Sequence, residues 1–256
     1  MARDPAAGEP RRIPMEAPWS WLAAGWQDLW RVPHIGLTYG ALFTIIGLAL
    51  TLGLMWLEML YAAVPLAAGF MLLGPLLAVG LYDTSRRLDK GQPVSLASAL
   101  SLSLRAPGRL AMAGLFLALA LLAWLYLATV LFALFYGHAA PALDQAFTTL
   151  LFTVRGLVFL ALGTAVGGVL AAFVFAISAF SIPLLLERDR EPVDAMLESL
   201  RRVRENPKPM LLWAWLIVMV TACGLVTLGI GLIITFPLVG HATWHAYRDT
   251  YGRSAD

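Results

Sequence analysis

Apolar stretches long enough to cross a bilayer alternate with short charged segments along this chain. A transmembrane helix needs about 20 consecutive and mostly apolar residues, and six stretches reach that length. They are residues 35–57, 64–82, 110–136, a long one within 156–186, 210–228 and 230–247. The pattern predicts an all-α fold, a polytopic membrane helix bundle of about six transmembrane helices arranged as three hairpins.

Two boundaries in this pattern have special features. The last two stretches are joined by a short turn around Gly229 and Gly231, inside a nearly uncharged run from 209 to 247, which predicts a tight hairpin. Residues 143–186 are too long for one span. They contain either an outer-surface helix at 145–154 that precedes the fourth span, or one longer fourth span.

Basic residues set the expected orientation, because Lys and Arg near helix ends are retained on the cytoplasmic side. All of the 18 Lys and Arg residues except Arg155 fall in the N-terminal segment, the second and fourth connections or the C-terminal tail. The chain is therefore predicted to be a multi-pass protein of the bacterial inner membrane with both termini in the cytoplasm. Residues 1–17 lack the apolar core of a cleavable signal. They are interpreted as a disordered cytoplasmic tail, and 18–256 as a single integral membrane domain.

Composition agrees with this class and excludes others. The chain is 60% hydrophobic and 13% charged, with a mean hydropathy of +0.76, whereas soluble domains carry about 25% charged residues. The basic segments are interleaved with acidic residues, so the expected partner is the lipid bilayer and not nucleic acid. The single cysteine, Cys223, lies inside the fifth stretch and has no second cysteine for a disulfide or a thiolate metal site.

A weak repeat divides the membrane domain into three units, at about 18–90, 91–190 and 191–252. Each unit opens with a short segment between two prolines, which a pair of apolar stretches follows. The proline pairs are Pro18 and Pro33, Pro93 and Pro107, and Pro192 and Pro207. Because proline suits the first turn of a helix and ends a preceding one, each unit is predicted to be a cytoplasmic interfacial helix followed by a transmembrane hairpin.

The first and third interfacial helices are predicted to be amphipathic when residues are placed about 100° apart. The apolar face of the first holds Trp19, Leu22, Ala23, Trp26, Leu29 and Trp30, and its polar face holds Ser20, Gln27, Asp28 and Arg31. The apolar stripe of the third holds Val193, Met196, Leu197, Leu200 and Val203. Such helices lie in the headgroup plane, which makes Trp19, Trp26 and Trp30 the predicted membrane-interface residues. The alternative is that these faces pack against the transmembrane bundle.

Glycine and proline positions predict how the spans pack. Glycines four residues apart let helix backbones approach closely, and the two such pairs are Gly36 with Gly40 and Gly163 with Gly167. Prolines inside the spans predict bends or ends. These are Pro65, Pro75, Pro183 and Pro237.

Two segments give the chain a family resemblance. PMEAPWSWLAAGWQDLWRVPHIGLTYG at 14–40 and FPLVGHATWHAYRDTYG at 236–252 resemble a bacterial family of integral membrane proteins, domain of unknown function 2189. The resemblance extends over nearly the whole chain and implies a multi-span inner-membrane protein. Some members carry the label cytochrome c oxidase subunit I. A haem–copper catalytic subunit needs more histidine ligands than the four of this chain, so the resemblance implies at most an accessory or assembly role beside an oxidase.

The histidines are the strongest candidates for chemistry. His241 and His245 are four residues apart and share a helix face, a spacing that can hold a metal ion. Both lie near the cytoplasmic end of the sixth stretch, and His34 lies at that end of the first. If those spans are neighbours, the three imidazoles form one candidate metal site. The alternative is that they bond to headgroups, water or backbone carbonyls. No other cofactor and no catalytic residue is predicted.

Two functions from different classes remain open. The first is a non-catalytic integral inner-membrane protein that serves as an accessory, scaffold or assembly factor for another membrane complex. Its partner is another membrane protein or a second copy of this chain. The second is a small-solute or ion transporter with a cavity among the three hairpins. The sequence has no Ser-His-Asp spacing, phosphate-binding glycine loop or His-Glu helix motif, which does not favour an enzyme.

Overall fold

The computed structural model describes residues 13–59, 62–104, 108–137 and 143–252. The regular elements in these residues are helices, in agreement with the predicted all-α membrane bundle. They are α1 (Ala17–Arg31), α2 (Pro33–Trp56), α3 (Ala63–Leu72), α4 (Gly74–Leu77), α5 (Val79–Asp89), α6 (Leu96–Leu104), α7 (Gly108–Tyr136), α8 (Leu143–Phe152), α9 (Val154–Ser178), α10 (Ser181–Glu187), α11 (Pro192–Glu205), α12 (Pro207–Val226) and α13 (Leu232–Tyr251).

Proline sets several of the helix starts, because its missing N–H has no partner to lose in a first turn. The helices α1, α2, α11 and α12 each have proline at their first or second position. The junctions from α1 to α2 and from α11 to α12 also share a backbone geometry. Val32 has φ −136° and ψ 59°, and Asn206 has φ −128° and ψ 55°. The two junctions thus have the same backbone geometry, and the division into three repeat-like units stays a prediction.

One end of the bundle is a layer of aromatic and charged side chains, which we call the charged layer. It consists of α1, α5, α10, α11 and residues 240–251 of α13. Its core is aromatic. Trp244 and Tyr247 are fully buried and Trp21 is nearly so, and they are joined by two fully buried neighbours, Phe180 just before α10 and Trp213 of α12. The α6 helix joins this end of the bundle, where the Tyr39 hydroxyl donates to the Ala99 carbonyl over 2.8 Å.

The hairpins extend to different heights from the charged layer. The indole N–H of Trp124 in α7 donates to the Pro65 carbonyl at the start of α3 over 2.7 Å. Beyond that level α7 continues to Tyr136, which adds about 18 Å at 1.5 Å per residue. Glycine spacing brings α9 close to α7, where a Cβ on Gly167 would lie 2.8 Å from the Trp124 ring. The α7–α9 pair is therefore the tallest part of the bundle.

The α12–α13 hairpin is the shortest. The Thr44 hydroxyl of α2 donates to the Gly229 carbonyl in the hairpin turn over 3.2 Å. Thr44 lies about 16 Å from the start of α2 at Pro33, whereas α2 continues to Trp56. The hairpin tip is thus level with the middle of α2. Accordingly, the last buried residue of α2 is Phe43, which stacks on Phe236 of α13 at 4.1 Å between ring centroids.

The structure divides the second predicted span into three short helices. Turns at Leu73 and Ala78 separate α3, α4 and α5, and Pro75 lies in the first turn of α4. Proline cannot donate a helical hydrogen bond, which explains the turn at Leu73. Four described segments are long and apolar enough to cross a membrane: Pro33–Trp56, Gly108–Tyr136, Val154–Glu187 and Pro207–Val226. The count of six spans stays a prediction.

The segment from 143 to 186 contains a separate helix before the fourth span. The α8 helix ends at Phe152, and Thr153 has an extended backbone, with φ −114° and ψ 148°. Its hydroxyl accepts a hydrogen bond from the Gly156 amide at 3.0 Å, which caps α9. Of the two alternatives for this segment, the structure has the separate helix.

The predicted tail at 1–17 lies mostly outside the described residues, which begin at Ile13. The Ile13 amide donates to the Asn206 side chain over 3.0 Å, and both Ile13 and Ala17 are buried. The packed bundle therefore includes residues that the tail prediction placed outside it.

Candidate functional site

A close contact between α1 and α13 builds the site. A Cβ on Gly25 would lie 2.6 Å from the Ala242 amide nitrogen, so only glycine lets α1 lie this near the backbone of α13. Asp28 is one turn further along α1 and therefore faces the histidines beside Ala242. On the other side of α13, a Cβ on Gly240 would lie 2.6 Å from a methyl group of Leu81 in α5. The sequence thus brings three helices together around residues 240–245.

Four side chains from these helices form a hydrogen-bonded group, which we call the Asp28 cluster. The Ser85 hydroxyl of α5 donates to Asp28 Oδ2 over 2.8 Å. Ser85 Oγ also lies 2.8 Å from His241 Nδ1, and His245 Nε2 lies 2.8 Å from Asp28 Oδ2. The relative exposure is 2% for Asp28 and 0% for both Ser85 and His241. The cluster is buried between α1, α5 and α13.

The hydrogen positions follow from the donors that are present. An ionised carboxylate only accepts, so the one hydroxyl hydrogen of Ser85 points at Asp28. His241 Nδ1 must then be the donor to the Ser85 oxygen, and His245 Nε2 the donor to Asp28. The remaining nitrogen of His241, Nε2, is buried without a hydrogen-bond partner. It lies beside Gly36, where a Cβ would be 3.6 Å away.

The surroundings of Asp28 favour its charged form. Burial alone would raise its pKa, but the hydrogen bonds from His245 and Ser85, with the charges of the two histidines, outweigh burial and hold the pKa of Asp28 below its ordinary value. Arg31 adds a weaker contact, with its Nη1 at 3.5 Å from Asp28 Oδ1. The carboxylate is therefore a buried acceptor shared by several donors, and its chemical effect is to hold α1 on α5 and α13.

Further contacts make the end of α13 the centre of the charged layer. The Trp244 indole donates to Asp89 over 2.8 Å, and the Tyr247 hydroxyl donates to Glu187 over 2.6 Å. Arg248 lies 3.9 Å from Asp89 and 3.8 Å from Glu187. These bonds connect α13 to α5 and α10. The polar residues in the sixth predicted span thus pair with neighbouring helices of the layer.

The structure brings together two of the three predicted metal residues. His241 and His245 both bond within the Asp28 cluster, and α2 and α13 are neighbours, as the candidate site requires. His34 is exposed in the first turn of α2. Within the residues that the structure describes, no three His, Cys, Asp or Glu side chains are arranged to hold a metal ion. The metal site at His34, His241 and His245 stays a prediction.

The faces of α1 differ from the predicted amphipathic pattern in one respect. Asp28, placed on the polar surface by the sequence, is buried, whereas Trp19, Trp26 and Trp30 are 56%, 46% and 50% exposed. The bundle covers the side of α1 that holds Trp21, and the exposed tryptophans form a separate face. Asp28 thus lies on the polar face, as predicted, and this face packs against the bundle because Gly25 admits the neighbouring helix α13.

The third interfacial helix shows a similar division. In α11, Met196 of the predicted apolar stripe is buried, but Val193 and Leu197 are exposed. Arg202, a charged residue outside this stripe, is mostly buried and lies 5.2 Å from the centre of the Tyr251 ring. Arg202 also contacts Glu198 over 3.0 Å. The buried Arg202 therefore holds α11 on α13, as Asp28 holds α1 on α5 and α13.

Sequence reasoning missed Asp28 and Ser85 as members of the site. The available signal was the small residue Gly25 one turn before Asp28, because a small residue marks the side of a helix where a neighbour approaches closely. Ser85 follows the second apolar stretch and gives no comparable signal. Only the packing of α5 against α13 brings it to His241.

The long apolar helices and the buried polar cluster at one end define an integral membrane protein of the helix-bundle class. Residues 63–187 match the model of the family described as predicted integral membrane protein (DUF2189), which confirms the family resemblance. The match begins where α3 begins and ends where α10 ends, and so lies between the two segments that suggested it. No curated protein and no solved structure matches the chain.

Proposed function

We propose that this protein is a non-catalytic membrane scaffold, an accessory or assembly factor for another complex of the bacterial inner membrane. The observation that supports this role is the use of the polar side chains in the charged layer. Asp28 of α1 accepts hydrogen bonds from Ser85 of α5 and His245 of α13, and Glu187 accepts one from Tyr247. The polar and charged side chains thus hold the helices of the charged layer together, and we call this layer the platform. An association with a respiratory oxidase rests on family analogy alone.

The proposed orientation places the charged layer in the cytoplasm. Arg86, Arg87 and Arg248 all belong to helices of this layer, whereas Arg155 is at the opposite end of the bundle, in the first turn of α9. This separation supports the orientation with both termini in the cytoplasm, because basic residues are retained there.

The exposed face of α1 is the proposed contact surface of the platform. The Trp26 and Trp30 rings pack edge to face, with 5.5 Å between their centroids, and Trp19 lies on the same side of the helix. Amphipathic tryptophan rings favour the level of the lipid headgroups. We infer that Trp19, Trp26 and Trp30 anchor α1 in the membrane surface and hold the platform at a fixed height for its partner.

Replacement of Trp19, Trp26 and Trp30 by serine is expected to remove this anchoring. The altered α1 stays packed through its buried side, so the change is read by quenching in vesicles. In the wild-type protein, phospholipids brominated near the headgroup should quench a larger share of tryptophan emission than in the triple variant. The matched control is Trp215→Ser on α12, another exposed tryptophan. Equal loss of quenching in the control and the triple variant would contradict a special role for α1.

Purification in a mild detergent tests the scaffold role directly. We expect one inner-membrane protein, or a second copy of this chain, to co-purify with the wild-type protein in a fixed ratio that mass spectrometry measures. The triple tryptophan variant should retain less of it. If the protein is monomeric and free of any stoichiometric partner in native membranes, as cross-linking before solubilisation would show, the scaffold proposal is wrong.

A small-solute or ion transporter is the second candidate. The observation relevant to it is a cavity of about 600 Å³ among the transmembrane helices. Most of its lining is apolar, including Phe43, Leu72 and Ile217. An ion or a polar solute would lose hydration there without replacement by polar groups, so the cavity favours the scaffold role over transport. Flux of a radiolabelled solute into vesicles only when the protein is present would reverse this preference.

A further inference from the structure

The cavity lies between two helices that do not pack closely on each other. Its walls are residues 168–179, in α9 and directly after it, and α12 from Trp213 to Leu225, and parts of α3–α5 and α13 form its back. The main neighbours of α12 are α1, α11 and α13, whereas those of α9 are α7, α8 and α11. The cavity therefore fills the space that a direct α9–α12 contact would occupy.

The cavity extends along its two helical walls. Each wall extends for about 17 Å at 1.5 Å per residue, close to the thickness of one leaflet, which is about 15 Å of hydrocarbon. The volume of about 600 Å³ lies within the range of small-ligand sites, about 300–1,000 Å³. This length and the apolar lining suit one extended hydrocarbon chain.

One end of the cavity is closed and the side is open. At the end near the charged layer, Tyr82, Ser178 and Trp213 are buried and form the floor. Along the gap, Gly168 on α9 and Val218 on α12 are exposed. An occupant therefore enters between the two helices and not through the charged layer.

The tip of the α12–α13 hairpin, beside this gap, exposes apolar side chains. Val226, Leu228 and Ile230 at the tip are 84%, 88% and 63% exposed. Two backbone groups of the turn have hydrogen-bond partners inside the protein. The Thr227 hydroxyl accepts from the Gly231 amide over 2.7 Å, and Thr44 donates to the Gly229 carbonyl. Irregular backbone at membrane depth requires such internal pairing. The tip and the mouth of the cavity thus face the bilayer interior.

We propose that this cavity binds one acyl chain of a phospholipid, which enters from the bilayer through the gap between α9 and α12. The apolar lining would leave it poorly hydrated, and a hydrocarbon chain fills it without loss of hydrogen bonds. The bound chain replaces the missing contact between the two helices and so completes the packing of the bundle. This site does not depend on the scaffold role.

Photo-cross-linking of the full chain tests the site. The protein is placed in vesicles of phosphatidylethanolamine and phosphatidylglycerol that contain traces of two phospholipids, one with a diazirine in the half of an acyl chain nearer the headgroup and one with a diazirine at the end of the chain. We expect cross-links at Val174 and Ala179, which line the cavity and are otherwise buried, and at Val169, which is exposed on α9. Cross-links at Val169 with none at the two buried residues would overturn the proposal.

Two variants with larger side chains in the cavity are compared with the wild-type protein. In Gly168→Leu, a Cβ meets no atom within 4 Å, so the new side chain extends into the open gap without strain. Ala222→Phe fills the cavity from the α12 side. Both variants should lose cross-links at Val174 and Ala179 several-fold and keep those at Val169.

The control is Gly47→Leu on α2, where a Cβ also meets no atom within 4 Å and which is not part of the cavity lining. It should leave all cross-links unchanged. Size-exclusion chromatography identifies a variant that fails to fold, and Gly168→Leu remains the decisive change if Ala222→Phe does fail. Undiminished cross-linking at the buried residues in a folded, filled variant would disprove the site. Loss of a co-purifying partner, by contrast, would leave the cross-links intact.

Discussion

Replacement of Asp28 by alanine is expected to lower the free energy of unfolding by about 3–5 kcal/mol, the usual cost of removing one partner from a buried charged group. The change leaves the Ser85 hydroxyl and the His245 N–H without their acceptor inside the protein. Each unpaired buried polar group costs about 1–3 kcal/mol. Denaturation in detergent micelles, followed by circular dichroism, measures the loss.

Two further variants isolate the cause. Gln27→Ala changes the neighbouring exposed residue of α1 and should shift the unfolding free energy by less than about 0.5 kcal/mol. Asp28→Asn keeps an acceptor oxygen for one donor and should be intermediate. If Asp28→Ala lowers the free energy of unfolding as little as Gln27→Ala does, the Asp28 cluster does not hold α1 on the bundle. The proposed platform would then lack the contact that joins α1 to α5 and α13.

The transmembrane class was predictable because it depends on length and polarity alone. A stretch such as 110–136 has few alternatives to a membrane helix, and α7 occupies nearly these residues. The glycine pair Gly36 and Gly40 likewise predicted a close approach, and α13 lies against both. Local patterns thus determine which segments are helices and where their backbones can touch.

The candidate site was only partly predictable because its members come from distant parts of the chain. The four-residue spacing identified His241 and His245 on one face of α13. Their partners, Asp28 and Ser85, are separated from them by most of the sequence. The helical pattern places Asp28 opposite the exposed tryptophans of α1 and does not show that this polar face is buried. Which face of α1 is buried depends on the position of α13, which no local pattern contains.

The sequence also could not predict how far the α12–α13 hairpin extends into the membrane. The stretches 210–228 and 230–247 have the length of two full spans, yet the second half of α13 is buried in the charged layer. In the proposed orientation, the apolar first half of α13 is the part that lies in the membrane. A length criterion cannot distinguish a helix that crosses the bilayer from one that is shared between the bilayer and a layer of protein.

Position 228, at the tip of the α12–α13 hairpin, is therefore expected to resist labelling from water. The test uses Leu228→Cys in a Cys223→Ser background, so that the new thiol is the only one. Leu228 is 88% exposed in the protein, and its neighbour Thr44 lies near the middle of α2, about 16 Å from the start of that helix. In a bilayer with about 30 Å of hydrocarbon, this places the exposed side chain in the lipid. A membrane-impermeant maleimide should leave it unmodified in intact cells and in inverted vesicles, and modify it after detergent is added.

The matched control is Glu58→Cys in the same background, in the exposed connection after α2. It should react from the outer side of intact cells, because α2 extends well beyond the level of the hairpin tip. A hairpin that crossed the whole bilayer would bring position 228 into the outer water, and both thiols would then react at comparable rates. That result would support the predicted six full spans.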